Sequence, residues 1–216
     1  QGERQRQTVE ILAEELGTRR LLACDVTQEA DLEQLRQALR SQADPLHAVV
    51  HSIAFARRED LARPFIETSQ EGFLLAQHVS AYSLVAVARA VAPLMPEGGS
   101  ITTLSYLGAV RVVPNYNVMG VAKAALEACV RYLAADLGPQ GIRVNAISAG
   151  PIKTASARAI KDFASVLDAV AERAPLRRNT DPAEVADAAV LLASELGRGL
   201  TGNILFVDAG FQIMGI

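Results

Sequence analysis

The apolar and polar positions along this chain alternate between helical and extended periods. Residues 3 to 16 place Val9, Ile11, Leu12 and Leu16 on one side of a helix that Gly17 closes. Residues 28 to 41 repeat the pattern with Leu32, Leu35 and Leu39. Between the two, Arg20 to Cys24 reads as a strand. Ala48 to Ile53 is a second one, short and β-branched as a strand buried on both faces should be. Thr68-Ser69-Gln70-Glu71 reads as a capping box opening a long apolar helix to about Ala92. Further strands are predicted at Ser100 to Leu104, Gly141 to Ser148 and Asn203 to Val207. Asn117 caps a predicted helix through Leu137. Asp181-Pro182-Ala183-Glu184 starts another, to about residue 195, with an N-cap, a proline at the first helical position and a capping glutamate. Residues 155 to 174 hold only a weak helical pattern with few bulky anchors.

Strands alternating with helices in this order predict an α/β, doubly wound Rossmann-type parallel sheet, with residues 1–216 forming a single domain. Right-handed crossovers then bring the strand ends near residues 25, 52, 105 and 150 to one edge, where such sheets bind ligands. Half of the residues are hydrophobic, enough for a substantial core. Twenty-one basic against twenty-four acidic residues leave a net charge of −3 without a dense basic run, which argues against nucleic acid or a membrane surface as partner. Cys24 and Cys129 read as small apolar residues in a reducing compartment. His47, His51 and His78 lack metal-site spacing, so no metal is expected. There is no secretory start, and the apolar stretch Ser83 to Met95 is interrupted by Arg89 and Pro93; a cytoplasmic protein is expected.

The chemistry concentrates in Ser105 to Lys123. Tyr116 stands at the mouth of the 117–137 helix and Lys123 seven residues on, a spacing that brings both side chains to one face about 10 Å apart along the axis. That helix is apolar nearly all round, so a lysine in its first half needs a reason. A phenol beside an ammonium can stabilise an oxyanion developing on a substrate carbonyl. A rim tyrosine and a snorkelling lysine would account for the spacing equally well. Gly197-Arg198-Gly199-Leu200-Thr201-Gly202 fits a glycine-rich phosphate-loop pattern, but it follows a helix and precedes a strand, the reverse of the order the mechanism needs.

Three stretches carry a family resemblance: Ser105-Tyr106-Leu107-Gly108; Tyr116-Asn117-Val118-Met119 with Lys123; and Arg143-Val144-Asn145-Ala146-Ile147-Ser148-Ala149-Gly150-Pro151-Ile152-Lys153-Thr154. Together they resemble the bacterial enoyl-[acyl-carrier-protein] reductase of the short-chain dehydrogenase superfamily. Ordinary members of that superfamily place the lysine four residues after the tyrosine, whereas position 120 here is glycine. The resemblance implies NADH-dependent reduction of the 2,3-double bond of an enoyl thioester on acyl carrier protein, in fatty-acid elongation. It implies the catalytic residues Tyr116, as donor to the enolate oxygen, Tyr106, along the acyl pocket and assisting protonation, and Lys123, on the nicotinamide ribose. The NADH/NAD contacts it implies are Gln1, Asp25, Val26, Ser52, Ile53, Ala54, Lys123, Gly150, Pro151, Ile152 and Thr154, although Asp25 also reads as a helix cap and Ser52 to Ala54 as a plain strand exit. Residues 153–174 resemble a mobile substrate-binding loop and helix. A homotetramer through helices 68–92 and 117–137 is also implied.

Two other readings remain open: a 3-ketoacyl or other carbonyl reductase, and a nucleotide-binding homologue without turnover. The first needs a lysine four residues after a tyrosine, and neither Gly120 after Tyr116 nor Asp136 after Tyr132 supplies it. The resemblance begins at Gln1, just past the family's second strand, so an N-terminally incomplete sheet is expected. In the family order 3-2-1-4-5-6-7 the strands at 20–24 and 48–53 would lie roughly 14 Å apart. NADH against NADPH stays open, since the residues that would read a 2′-phosphate lie at or before the start of the chain.

Overall fold

The computed structural model describes residues 3–18, 20–42, 44–154 and 162–215. Its centre is a parallel sheet of β1 (Ala48–His51), β2 (Gly99–Tyr106), β3 (Ile142–Ala149) and β4 (Ile204–Val207), in the spatial order β1-β2-β3-β4. Around it lie α1 (Glu3–Glu15), α2 (Glu29–Arg40), α3 (Arg58–Ala62), α4 (Gln70–Gln77), α5 (Ser83–Val91), α6 (Asn117–Leu137), α7 (Phe163–Arg173) and α8 (Pro182–Ala193). Parallel strands need crossovers, and the helices between them cover both faces. Ile101, Val144 and Ala146 point to one face, where they pack with Leu84, Leu126 and Val130 of α5 and α6. Ile147 and Leu104 point to the other, against Ala188 and Leu192 of α8. This alternation sets the site: Thr103, Ser105 and Ser148 share the α6 face, and the register pairs Ser105 with Ser148.

Several predicted elements differ from what forms. Arg20 to Cys24 is not a strand. A strand exists only with a ladder partner, β1 pairs with β2 alone, and no described segment pairs with residues 20–24. Leu21 and Leu22 are exposed there, and Arg20 Nη1 donates to Gln42 Oε1 at 2.8 Å. Residues 20–24 and β1 are therefore not hydrogen-bonded neighbours, and β1 stands at the edge of the sheet. β1 also stops at His51, two residues before the predicted end.

The long helix begins one residue later than predicted. Ser69, not Thr68, is the N-cap, accepting from Gly72 N at 3.0 Å. Glu71 forms no box and pairs instead with Arg57 at 2.5 Å. A Cβ on Gly72 would collide with the buried Asp60 carboxylate, so glycine is required where a box would place an acid. The same helix is interrupted by a π-turn at His78–Tyr82, an irregularity that single-sequence periodicity does not reveal. The stretch Gln70–Leu94 is long and apolar enough to cross a membrane, but half of it is buried as a core helix.

At α6 the cap is also displaced. Tyr116 occupies the N-cap and Asn117 is the first helical residue, at φ 38°. The Asn117 side chain turns away from the helix and donates to Leu61 O (2.9 Å) and Arg63 O (2.7 Å) at the end of α3. At α8 the predicted box is present: Asp181 Oδ1 accepts from Ala183 N at 2.8 Å, and Asp181 N donates to Glu184 Oε2 at 2.9 Å. The segment 197–202 runs between α8 and β4, with Gly202 N bonded to Val144 O at 2.7 Å.

Candidate active site

The carboxyl ends of β2 and β3 and the first two turns of α6 define the site. β2 delivers Ser105 and Tyr106, and the short turn at Leu107–Ala109 folds back over α6. Tyr116 and Tyr106 meet edge to face, ring centres 4.9 Å apart at 68°. Gly108 makes room for the Tyr116 ring, which a Cβ there would run into, and Gly120 makes room for the Gly108 carbonyl, which would stand 2.8 Å from a Cβ at 120. Glycine at 120 is thus a packing requirement of the Leu107–Ala109 turn as well as a departure from the four-residue spacing. Asn115 (φ 61°) and Asn117 (φ 38°) flank Tyr116 in left-handed conformations, which asparagine tolerates better than most residues.

Tyr116 is 8% exposed and Lys123 6%. Burial, with Tyr106 adding to it, pushes the Tyr116 phenol well above the usual tyrosine value. The Tyr106 phenol is raised by burial as well. Burial pulls Lys123 down to about 8, with Glu127 acting against it. Lys123 Nζ donates to Leu104 O at 2.7 Å. An ammonium has three donors, so two remain for a ligand at the strand ends. Lys123 does not snorkel to solvent: the amine is buried with its stem and bonded to β2.

Behind the pair lies a polar network that the sequence did not announce. His51, at the end of β1, bonds Thr103 Oγ1 through Nδ1 (2.9 Å) and Ser83 Oγ through Nε2 (2.8 Å). Burial first, and the Lys123 charge second, lower its pKa to about 4, so it is neutral at pH 7. Ser105 Oγ donates to Glu127 Oε1 at 2.6 Å. Ser80, on the π-turn, clamps Phe55 through both its N and its O. The one sequence signal for part of this network is the acid at position 127, four residues beyond Lys123 on an otherwise apolar helix.

The candidate cofactor residues fall into groups. Ser52, Ile53 and Ala54 leave β1, with Ser52 and Ala54 exposed and Ile53 half-buried against the core. Gly150 and Pro151 are buried at the end of β3, Ile152 is half-buried and Thr154 exposed. Gly150 N is held by Val207 O at 2.8 Å, and a Cβ there would run into Thr180 Oγ1. Asp25 is exposed and forms an Asx turn, Oδ1 accepting from Thr27 N (2.9 Å) and Oγ1 (2.8 Å). Those two bonds lower its pKa, the backbone one contributing most. Val26 points into the main core. Gln1 lies outside the described residues, as do 155–161 of the 153–174 segment. The described part of that segment is α7, which buries Leu167 and Val170. A cavity of about 470 Å³ opens beside Tyr106, lined by Val113, Val166, Val170, Arg173 and Phe211 among others. Among the described residues no three His, Cys, Asp or Glu side chains converge as metal ligands would.

A dinucleotide fits this donor set. Ser52 and Ala54 at the end of β1 are small and exposed, and Lys123 offers a buried cation at the end of β2 with donors to spare. The parallel sheet with tyrosine and lysine on the helix after its second described strand is the arrangement of a short-chain dehydrogenase. More narrowly, the family described as Enoyl-(Acyl carrier protein) reductase matches residues 1–212, and the chain belongs to that family. It is 54% identical to the enoyl-[acyl-carrier-protein] reductase [NADH] FabI of Bacillus cereus, over 99% of this chain and 84% of that protein. To the Staphylococcus aureus enzyme, described as [NADPH], it is 51% identical over 97% of this chain and 83% of that one. The crystal structure of the B. cereus reductase with NADP+ and an indole naphthyridinone superposes with a TM-score of 0.96, covering 100% of this chain and 84% of that one. The Aquifex aeolicus NADH enzyme, 42% identical, superposes at 0.95 with the same coverage.

Proposed function

We propose that this chain catalyses the NADH-dependent reduction of the 2,3-double bond of enoyl thioesters carried on acyl carrier protein, in fatty-acid elongation. The observation that carries the reading is the buried Tyr116–Lys123 pair at the carboxyl edge of the sheet, in a chain of this family. The raised pKa keeps Tyr116 a neutral donor at pH 7, aimed by the edge-to-face contact with Tyr106 and by the space that Gly108 leaves for its ring. Its hydrogen bond strengthens as negative charge gathers on the thioester oxygen, which is where a donor lowers a barrier most. Bound NADH supplies the hydride to the β-carbon. Lys123, charged below about 8, would hold the ribose hydroxyls. Ser52, Ile53, Ala54, Gly150, Pro151, Ile152 and Thr154 would line the cofactor, with Asp25 and Val26 toward its far end and Gln1 at the chain's start.

Tyr106 forms one wall of the cavity beside α7, which fits an acyl-chain site; residues 153–174 would cover it and exclude water. Exposed Leu74, Tyr82, Val121 and Tyr132 on α4, the π-turn and α6 support a homotetramer through these helices. A cytoplasmic location follows from the same reading. The test is the fall of nicotinamide absorbance with crotonyl-coenzyme A, using NADH and NADPH in turn. Turnover with NADH is expected. Turnover of a 3-ketoacyl thioester instead would assign a carbonyl reductase, and nucleotide binding without turnover a silent homologue.

A further inference from the structure

Two hydrogen bonds tie the end of β2 to α6, one helical turn apart. Lys123 Nζ donates to Leu104 O at 2.7 Å, and the hydroxyl of the next residue, Ser105, donates to Glu127 Oε1 at 2.6 Å. Lys123 and Glu127 are four residues apart, so they stack on one face of α6. Each is 6% exposed, and Ser105 is equally buried. Ser148, the register partner of Ser105 on β3, turns a buried hydroxyl to the same face, and that hydroxyl has no hydrogen-bond partner among the described residues. Taking a carboxylate and an ammonium from water costs several kcal/mol per ion, so each needs compensating partners. Here the carboxylate has the Ser105 hydroxyl, and the ammonium has the Leu104 carbonyl.

We propose that Glu127 is a positioning residue of the reductase, acting through Lys123: fixed by Ser105, its carboxylate keeps the buried Lys123 ammonium charged, while the Leu104 carbonyl aims that ammonium at the strand ends. This rests on the reading of Lys123 as the cofactor-facing cation. The charged and titratable groups around the pair are few. Arg131 follows Glu127 on α6 and favours its ionised form, as do the Ser105 hydrogen bond and Lys123 itself, against the larger effect of burial. His51, from β1, is neutral and so adds no charge at pH 7. From the other wall come Tyr106 and Tyr116, both neutral donors. On α3, Asp60 turns Oδ1 to Ser69 N, and on the π-turn His78 stacks edge-on against Tyr82. Glu127 is therefore the one anion among these groups placed to offset the burial of Lys123.

The chain has three lysines, at 123, 153 and 161, so a ¹³C-lysine NMR titration of the full protein resolves Lys123, assigned by the signal lost in Lys123→Ala. In the parent the midpoint is expected at about 8. In Glu127→Gln, which keeps the acceptor for Ser105, it should fall by about one unit. The NADH dissociation constant should then begin its alkaline rise about one unit earlier, while Glu127→Asp restores most of the parent profile. A midpoint and a binding profile unchanged in Glu127→Gln overturn the inference. Should that variant not fold, Ser105→Ala decides: a lowered midpoint supports the inference and an unchanged one overturns it. If Lys123→Ala leaves NADH affinity intact, the reading of Lys123 fails instead, and the two failures are separable.

Discussion

Helices α1 and α6 have comparably clear patterns in the sequence, yet they end in opposite conditions. α6 buries Val118, Met119, Ala122, Leu126 and Val130 against β2, β3 and the neighbouring helices. α1 forms over the predicted range, but Val9, Ile11 and Leu12 are exposed and Leu16 is 81% exposed. Only Ala13 of its described side chains is buried. An amphipathic period selects a helix locally, while burial depends on whether another element presents a matching face. The proposed chemistry lies on the helix that has such faces. Burial shifts the pKa values of Tyr116, Lys123 and Glu127, an effect that an exposed face does not offer.

The contrast can be tested by substitution. Leu126→Ala, at a fully buried position, should destabilise by about 3 kcal/mol through lost transfer energy and the cavity left behind, read by urea denaturation. An effect below about 1 kcal/mol would mean that this part of α6 repacks freely. Acid should expose the same region. The folded state lowers the His51 pKa from 6.5 to about 4, chiefly by burial. The unfolded chain therefore binds the proton first. Stability from this group is complete above 6.5 and lost as pH falls toward 4, by about 3 kcal/mol in all. The slope should be missing from His51→Asn, and equal slopes in parent and variant would contradict the buried network.

Gly120→Ala comes next, at about 2 kcal/mol, because its Cβ meets the Gly108 carbonyl and pushes on the turn that packs against Tyr116. Activity should fall along with stability. At the other pole, Leu16→Ala, just past the end of α1, should change stability by no more than about 0.5 kcal/mol. A larger loss would show that the exposed face of α1 is covered in solution.

How much of this could be read from the chain follows from the same physics. The Tyr116–Lys123 pair, the α/β order and the Asp181 box are local or periodic signals, and all were legible. The strand at 20–24 was misread because β-propensity says nothing of whether a ladder partner exists. Asn117 was misread as a cap because its side-chain partners, Leu61 O and Arg63 O, are more than fifty residues away. The His51, Ser83 and Thr103 network was invisible for the same reason, since three separated polar residues acquire meaning only once the sheet forms. Gly108 is part of a motif and Gly120 a departure from a spacing; that the first makes room for the Tyr116 ring and the second for the Gly108 carbonyl is evident only in three dimensions.

The central claim is that Tyr116 acts as the donor to an oxyanion that exists only as the reaction proceeds. Tyr116→Phe, which keeps the ring contact with Tyr106, tests it most directly when turnover of crotonyl-coenzyme A and NADH affinity are measured on the same preparation. Turnover should fall roughly 100- to 1,000-fold while the NADH dissociation constant stays within about twofold. An unchanged turnover number with only a raised Michaelis constant for the enoyl substrate would contradict it.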